Sequence, residues 1–195
     1  MNDRLRVQMS FLNELERLKT VYRRNRVVDR SRHENSAEHS WHLAVMALVL
    51  SEHADVKDLD LWRVVKMLLL HDVVEVYAGD TWAYDEGETA SQSQREEMAA
   101  RKLFALLPND QADEFLGLLR EFADRSSPEG AFAASIDALQ PLSNHLLSGR
   151  SGDDNPAPAC TQVLQKKNHI GGSSSALWRL AQELIEESRA RGLYV

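Results

Sequence analysis

Residues 61–78 read LWRVVKMLLLHDVVEVYA, and the fold class turns on them. The apolar run Leu68-Leu69-Leu70 delivers a His71-Asp72 pair and then Glu75. Length and pattern predict one helix from about Leu61 to Ala78, with Asp60 as its cap and Gly79 as a left-handed stop. On such a helix Asp72 lies about 100° from His71, and Glu75 follows the pair by one turn on the same face. A carboxylate carried into a core without a partner is expensive. The pair therefore calls for a metal, a cation or dense hydrogen bonding.

The segments on either side are helical as well. Leu5, Met9, Leu12, Leu15 and Leu18 recur at helical spacing over residues 3–20, and residues 23–33 then lose periodicity and read as a loop. Asn35-Ser36-Ala37-Glu38 has the form of a capping box opening a helix that runs to about His53. A polar loop over 80–91 is long enough to be functional, and helices are expected near 91–107 and 111–124. Ser127-Pro128-Glu129 starts a helix that ends near Gly149, with a kink expected at Pro141. Residues 148–159 read as a linker-like, flexible loop, followed by short helices near 161–167 and 174–191. With no sustained period-two alternation, the chain reads as all-α, and its 195 residues read as one domain.

Composition narrows the function classes. No apolar run reaches the roughly 18–20 residues of a membrane span, and the first residues lack the apolar core of a signal peptide. The single Cys160 suits a reducing compartment, so a soluble cytoplasmic protein is expected. A net charge of −7 argues against a nucleic-acid binder. The charge is unevenly spread: Arg17, Lys19, Arg23, Arg24, Arg26, Arg30 and Arg32 face only Asp29 between residues 17 and 32. That stretch is either a solvated surface or an anion site.

The candidate chemistry collects on three helices. His39, the His71–Asp72 pair and Asp137, which sits between Ile136 and Leu139, form a His/Asp set consistent with one divalent metal in a helical bundle. His42 reads as a hydrogen-bonded packing histidine first and a further ligand second, and Asp137 taken alone also fits a surface acid. Trp82 and Tyr84 are placed either to stack on a base or to anchor their loop. Cys160 lacks a His-Asp context, and no Ser stands in a nucleophile elbow, so a covalent intermediate is not expected.

The order His39, His71-Asp72, Asp137 resembles the HD-domain phosphohydrolase superfamily. Asn35-x-x-Glu38-His39 and His71-Asp72-x-x-Glu75-x-x-x-Gly79-Asp80 are similar to segments of its 5′-deoxynucleotidase branch. The resemblance implies an all-helical, often dimeric protein that holds one divalent cation (Mn, Co, Fe, Zn or Mg) on His39, His71, Asp72 and Asp137. It implies hydrolysis of nucleoside 5′-monophosphates, with Glu75 and Asp80 catalytic and Arg24 binding phosphate. Asn25 stands where the bacterial type has Trp, which bears on substrate choice. Two other outcomes stay open: an HD-type hydrolase of another phosphate ester, and a metal-bound regulatory protein without catalysis.

Overall fold

The computed structural model describes residues 3–81, 86–149 and 157–195, with the backbone alone for 86–90. Trp82, Tyr84 and most of the 148–159 stretch lie outside the described residues. Helix α1 (Asp3–Leu15) leads through a 3-10 turn into strands β1 (Tyr22–Arg26) and β2 (His33–Asn35). Helices α2 (Ser36–Leu50), α3 (Leu61–Leu70), α4 (Glu75–Ala78), α5 (Glu86–Phe104) and α6 (Asn109–Asp124) follow. The chain closes with α7 (Pro128–Ser148), α8 (Cys160–Lys167) and α9 (Ser175–Ala190).

The start signals act as their chemistry requires. The Asn35 side chain accepts from the backbone of Glu38, whose carboxylate accepts from the Asn35 N–H, completing the capping box. Asp60 caps α3 through the N–H of Arg63, and Ser127 caps α7 with Pro128 in its first turn. Gly79 ends α4 at φ 74°, a conformation open to glycine at little cost.

Besides the polar loop expected over 80–91, whose residues 86–91 open α5 instead, two sequence expectations are corrected. The first concerns residues 23–33, which form an antiparallel hairpin rather than a loop. No Asn-Gly or Asp-Gly pair announces its turn. Instead Asp29 accepts from the N–H and hydroxyl of Ser31, and Arg30 adopts φ 62°. The second concerns the helix over 61–78. It is interrupted at residues 71–74, where hydrogen bonds run three residues back, Val73 to Leu70 and Glu75 to Asp72. A turn of this kind advances about 120° per residue, so residues three apart stand in line. Asp72 and Glu75 consequently stack, and Val73 and Val74 are both buried.

The core has two apolar clusters that share Leu70 at their margin. Leu43, Met67, Leu68, Ile136, Leu139 and Leu177 fill the first, between α2, α3, α7 and α9. Phe11, Val73, Val74, Leu103 and Phe104 fill the second, beneath α1 and α5. His71 begins the turn that crosses from one to the other. Several apolar residues read as periodic in the sequence stay outside both: Leu5, Met9 and Leu12 on α1, and Trp41, Val45, Leu48 and Val49 on α2, are exposed.

Candidate metal centre

Three elements converge on one point. His39 lies on the buried face of α2 and is fully enclosed; His71 and Asp72 follow the last turn of α3 and are buried as well. One ligand atom from each of these three lies within 4.8 Å of the other two. From α7, Asp137 adds Oδ1 at 3.0 Å from His39 Nε2 and 3.7 Å from His71 Nε2. Its side chain is 32% exposed, which leaves one side of the cluster open. Pro141 deprives the carbonyl of Asp137, four residues back, of its helical donor, while α7 remains continuous to Ser148.

The histidine chemistry suits a metal. His71 Nδ1–H donates to the carbonyl of Leu68 at 2.9 Å. A carbonyl only accepts, so Nδ1 keeps a proton, and with a cation bound the ring would be neutral and turn the Nε2 lone pair toward the cluster. That Nε2 is buried without a hydrogen bond among the described residues. A borderline-to-hard divalent cation takes this mixture of imidazole and carboxylate. The residues fit the group.

The electrostatics divide the site into two halves. Burial lowers the pKa of His39, with the positive charge of Arg23 acting the same way. For His71 burial also acts downward, yet Asp72 and Asp137 overcome it and raise the pKa well above the usual histidine range. Burial opposes ionisation of Asp72, but His71 and Arg23 hold its pKa at about 2. Asp137 likewise ends well below the ordinary carboxylate range: burial is outweighed by the hydrogen bond with His39 and by the nearby His71.

Glu75 belongs to the other half. Ser36 Oγ donates to its Oε2, and burial, helped by the charge of Asp72, pushes its pKa up to about 9. Asp80, beyond the Gly79 stop, is raised by burial against the pull of Arg23 and Arg24 and a hydrogen bond with Glu75.

The arginine that enters this cluster is Arg23. Its Nη1 donates to Asp72 Oδ2 at 2.7 Å and stands 3.7 Å from Asp80 and 4.0 Å from Glu75. Alternation along β1 puts Arg23 inward and Arg24 outward. Arg24 is exposed and reaches the site through its charge on Asp80. The resemblance points to Arg24 for phosphate; that its neighbour Arg23 is the one turned inward follows from the strand, which the sequence does not announce. Sequence reading also passed over Ser36 and the buried Glu34. Of the other histidines, His42 is exposed against Trp41, and His33 faces the backbone of Arg24, so neither joins the cluster.

A family profile described as HD domain matches residues 15–178. The chain belongs to the HD-domain family. It is 32% identical over 133 residues to the human (Homo sapiens) 5′-deoxynucleotidase HDDC2, a match covering 68% of this chain and 63% of that protein. The Bos taurus 5′-deoxynucleotidase HDDC2 is 33% identical over the same shares of the two chains. The matches thus span just under two thirds of these curated relatives. Among solved structures, a predicted metal-dependent phosphohydrolase from Magnetospirillum magnetotacticum MS-1 superposes with a TM-score of 0.92 at 40% identity, covering 98% of this chain and 96% of that one. The fold extends to a conserved hypothetical protein from Pyrococcus furiosus at 20% identity and a TM-score of 0.60.

Proposed function

We propose that this protein is a metal-dependent phosphohydrolase that converts (deoxy)ribonucleoside 5′-monophosphates to nucleoside and phosphate. One observation carries the reading. A buried arginine stands beside a His-His-Asp cluster and next to two carboxylates of raised pKa, so one pocket offers a cation site, an anion grip and proton-transfer groups together. The similarity to proteins named 5′-deoxynucleotidase supports the substrate class.

His39, His71, Asp72 and Asp137 hold the metal in this proposal. A bound divalent cation supplies Lewis acidity toward a phosphoryl oxygen and lowers the pKa of water. Arg23 and Arg24 offset the phosphate's charge, for which a planar guanidinium is suited because it takes two oxygens at once. Water adds to phosphorus, the P–O5′ bond breaks, and a proton passes to the departing O5′. Glu75 orients the water or moves that proton, assisted by Asp80, which stands at the rim where a sugar hydroxyl also reaches it. Cys160 has no role in the reaction.

We further propose one domain over residues 1–195, acting as a homodimer in the cytoplasm. Trp41, Val45, Leu48 and Val49 form one exposed face of α2 at i, i+4, i+7 and i+8, and a second copy of the chain is the occupant that would cover it. Among the described residues no helix is long and apolar enough to cross a membrane.

The test is release of inorganic phosphate from a panel of ribo- and deoxyribonucleoside monophosphates with Mn, Co, Mg or Zn added, alongside the metal content of the purified protein. Activity on 5′-monophosphates with at least one cation is expected. Absence of both bound metal and turnover would sink the proposal.

A further inference from the structure

Next to the metal cluster lies a second, buried layer that the reaction outlined above does not use. Glu34 is the middle residue of β2 and is buried, its side chain 8% exposed. Its Oε2 stands 3.6 Å from His39 Nδ1 and 3.7 Å from Arg23 Nε. Its Oε1 accepts from Gln140 Nε2 at 3.0 Å, so α7 holds the carboxylate in place from the far side. Both distances from Oε2 are longer than a hydrogen bond. Oε2, His39 Nδ1 and Arg23 Nε are all buried without a hydrogen-bond partner among the described residues. Three complementary polar atoms thus face one another across a gap of less than an ångström beyond bonding distance.

The two groups that Glu34 faces have different duties. His39 turns its Nε2 toward Asp137 and the cluster, so a cation bound through Nε2 leaves the imidazole proton on Nδ1, pointing at Glu34. Arg23 turns Nη1 toward Asp72 and Nε toward Glu34. One carboxylate oxygen therefore sits behind both a metal ligand and the arginine of the phosphate grip. Carboxylates in this position behind a ligating histidine set the tautomer and ring angle and raise ligand basicity.

We propose that Glu34 is a positioning residue that couples the two halves of the site, fixing His39 for the cation and Arg23 for the phosphate through the single oxygen Oε2. This rests on the metal-dependent reading above. A neutral amide retains the shape of the side chain but removes the carboxylate that both neighbours would face once a cation is bound, whereas loss of Gln140 leaves the carboxyl group and frees it to rotate.

The experiment is a calorimetric titration of the metal-free full chain with Mn²⁺ alone, for wild type, Glu34→Gln and Gln140→Leu, with KM and kcat for a nucleoside monophosphate measured in parallel. Glu34→Gln is expected to weaken Mn²⁺ binding by roughly ten- to a hundredfold and to raise KM, while melting at or above the temperature of the metal-free wild type. Gln140→Leu is expected to fall between the two. A merely structural role would lower the melting temperature and leave the Kd of the folded fraction unchanged. If Glu34→Gln binds Mn²⁺ within about twofold of wild type, or, should that variant not fold, if Gln140→Leu does so, the proposal is overturned. Wild type that binds no Mn²⁺ overturns both it and the metal-dependent reading, so the two failures are told apart by the wild-type titration.

Discussion

Replacing Glu75 by glutamine removes a titrating group from a place where ionisation is costly, and the structure sets the sign and scale of the response. In the metal-free protein burial and Asp72 raise the Glu75 pKa from 4.5 to about 9. A group whose folded pKa is raised contributes stability that is fully present below the unfolded pKa. That contribution is lost as pH rises through the folded pKa. Between about pH 4.5 and 9 the unfolded chain ionises Glu75 freely while the folded chain does not, and each pH unit costs about 1.4 kcal/mol. At pH 7 the sum is on the order of 3 kcal/mol, an upper value because Asp72 and Asp80 share the titration. Glutamine mimics the protonated acid and can still accept from Ser36. Metal-free Glu75→Gln should therefore melt near wild type at pH 4.5 and progressively above it as pH rises, by several degrees near pH 7. Saturating metal should shrink the difference, because a nearby cation favours the carboxylate. The variant should lose turnover throughout. Calorimetry of both proteins from pH 4.5 to 9, with and without Mn²⁺, makes the comparison; parallel melting curves at every pH would refute the reasoning.

Other perturbations separate the parts of the site. Asp72→Ala should lose both metal and turnover, whereas Glu75→Ala should keep metal and lose turnover, as measured by metal analysis and phosphate release. Arg23→Ala removes one of the two charges that hold buried Asp72 ionised, leaving His71, and should destabilise the metal-free protein by at most roughly 3–5 kcal/mol, with added Mn²⁺ recovering much of the loss in denaturant titrations. Gly79→Ala forces a side chain into φ 74°, ψ 161°, at a cost of about 1–3 kcal/mol. It should also lower kcat by displacing Asp80, seen as reduced kcat with intact metal binding. If the exposed face of α2 is the seam of the proposed homodimer, a Leu48→Glu, Val49→Glu double variant should run as a monomer in light scattering where the wild type runs as a dimer.

The fold was legible where the chain carries its own punctuation. Asn35, Asp60, Ser127-Pro128 and Gly79 each mark a helix end by a hydrogen bond or a dihedral angle that needs no tertiary partner. His39, His71 and Asp72 were legible because polar residues embedded in apolar helices need one another. What escaped is set by longer-range physics. The hairpin is too short and too charged to alternate in hydrophobicity, and its turn rests on Asp29 and Arg30 rather than on glycine. The tightening at 71–74 follows from burying Val73 and Val74 together, which depends on Phe104 and Leu103 arriving from α5. Apolar spacing on α2 and α1 reported helices correctly but said nothing of which face is covered, so Trp41, Leu48 and Met9 turned out exposed.

The hairpin and the start of α2 form one uninterrupted stretch, residues 22–39, that supplies Arg23, Glu34, Ser36 and His39. Insertions at its tip, around Asp29 and Arg30, lengthen a loop and leave these four residues in register. A single-residue deletion within β1 falls instead between the Tyr22–Asn35 and Arg26–His33 pairs, where the register already shifts, and moves Arg23 off Asp72. Drift in length among descendants of this sequence should therefore concentrate at the tip, and the strand's length should be held as firmly as the ligands themselves.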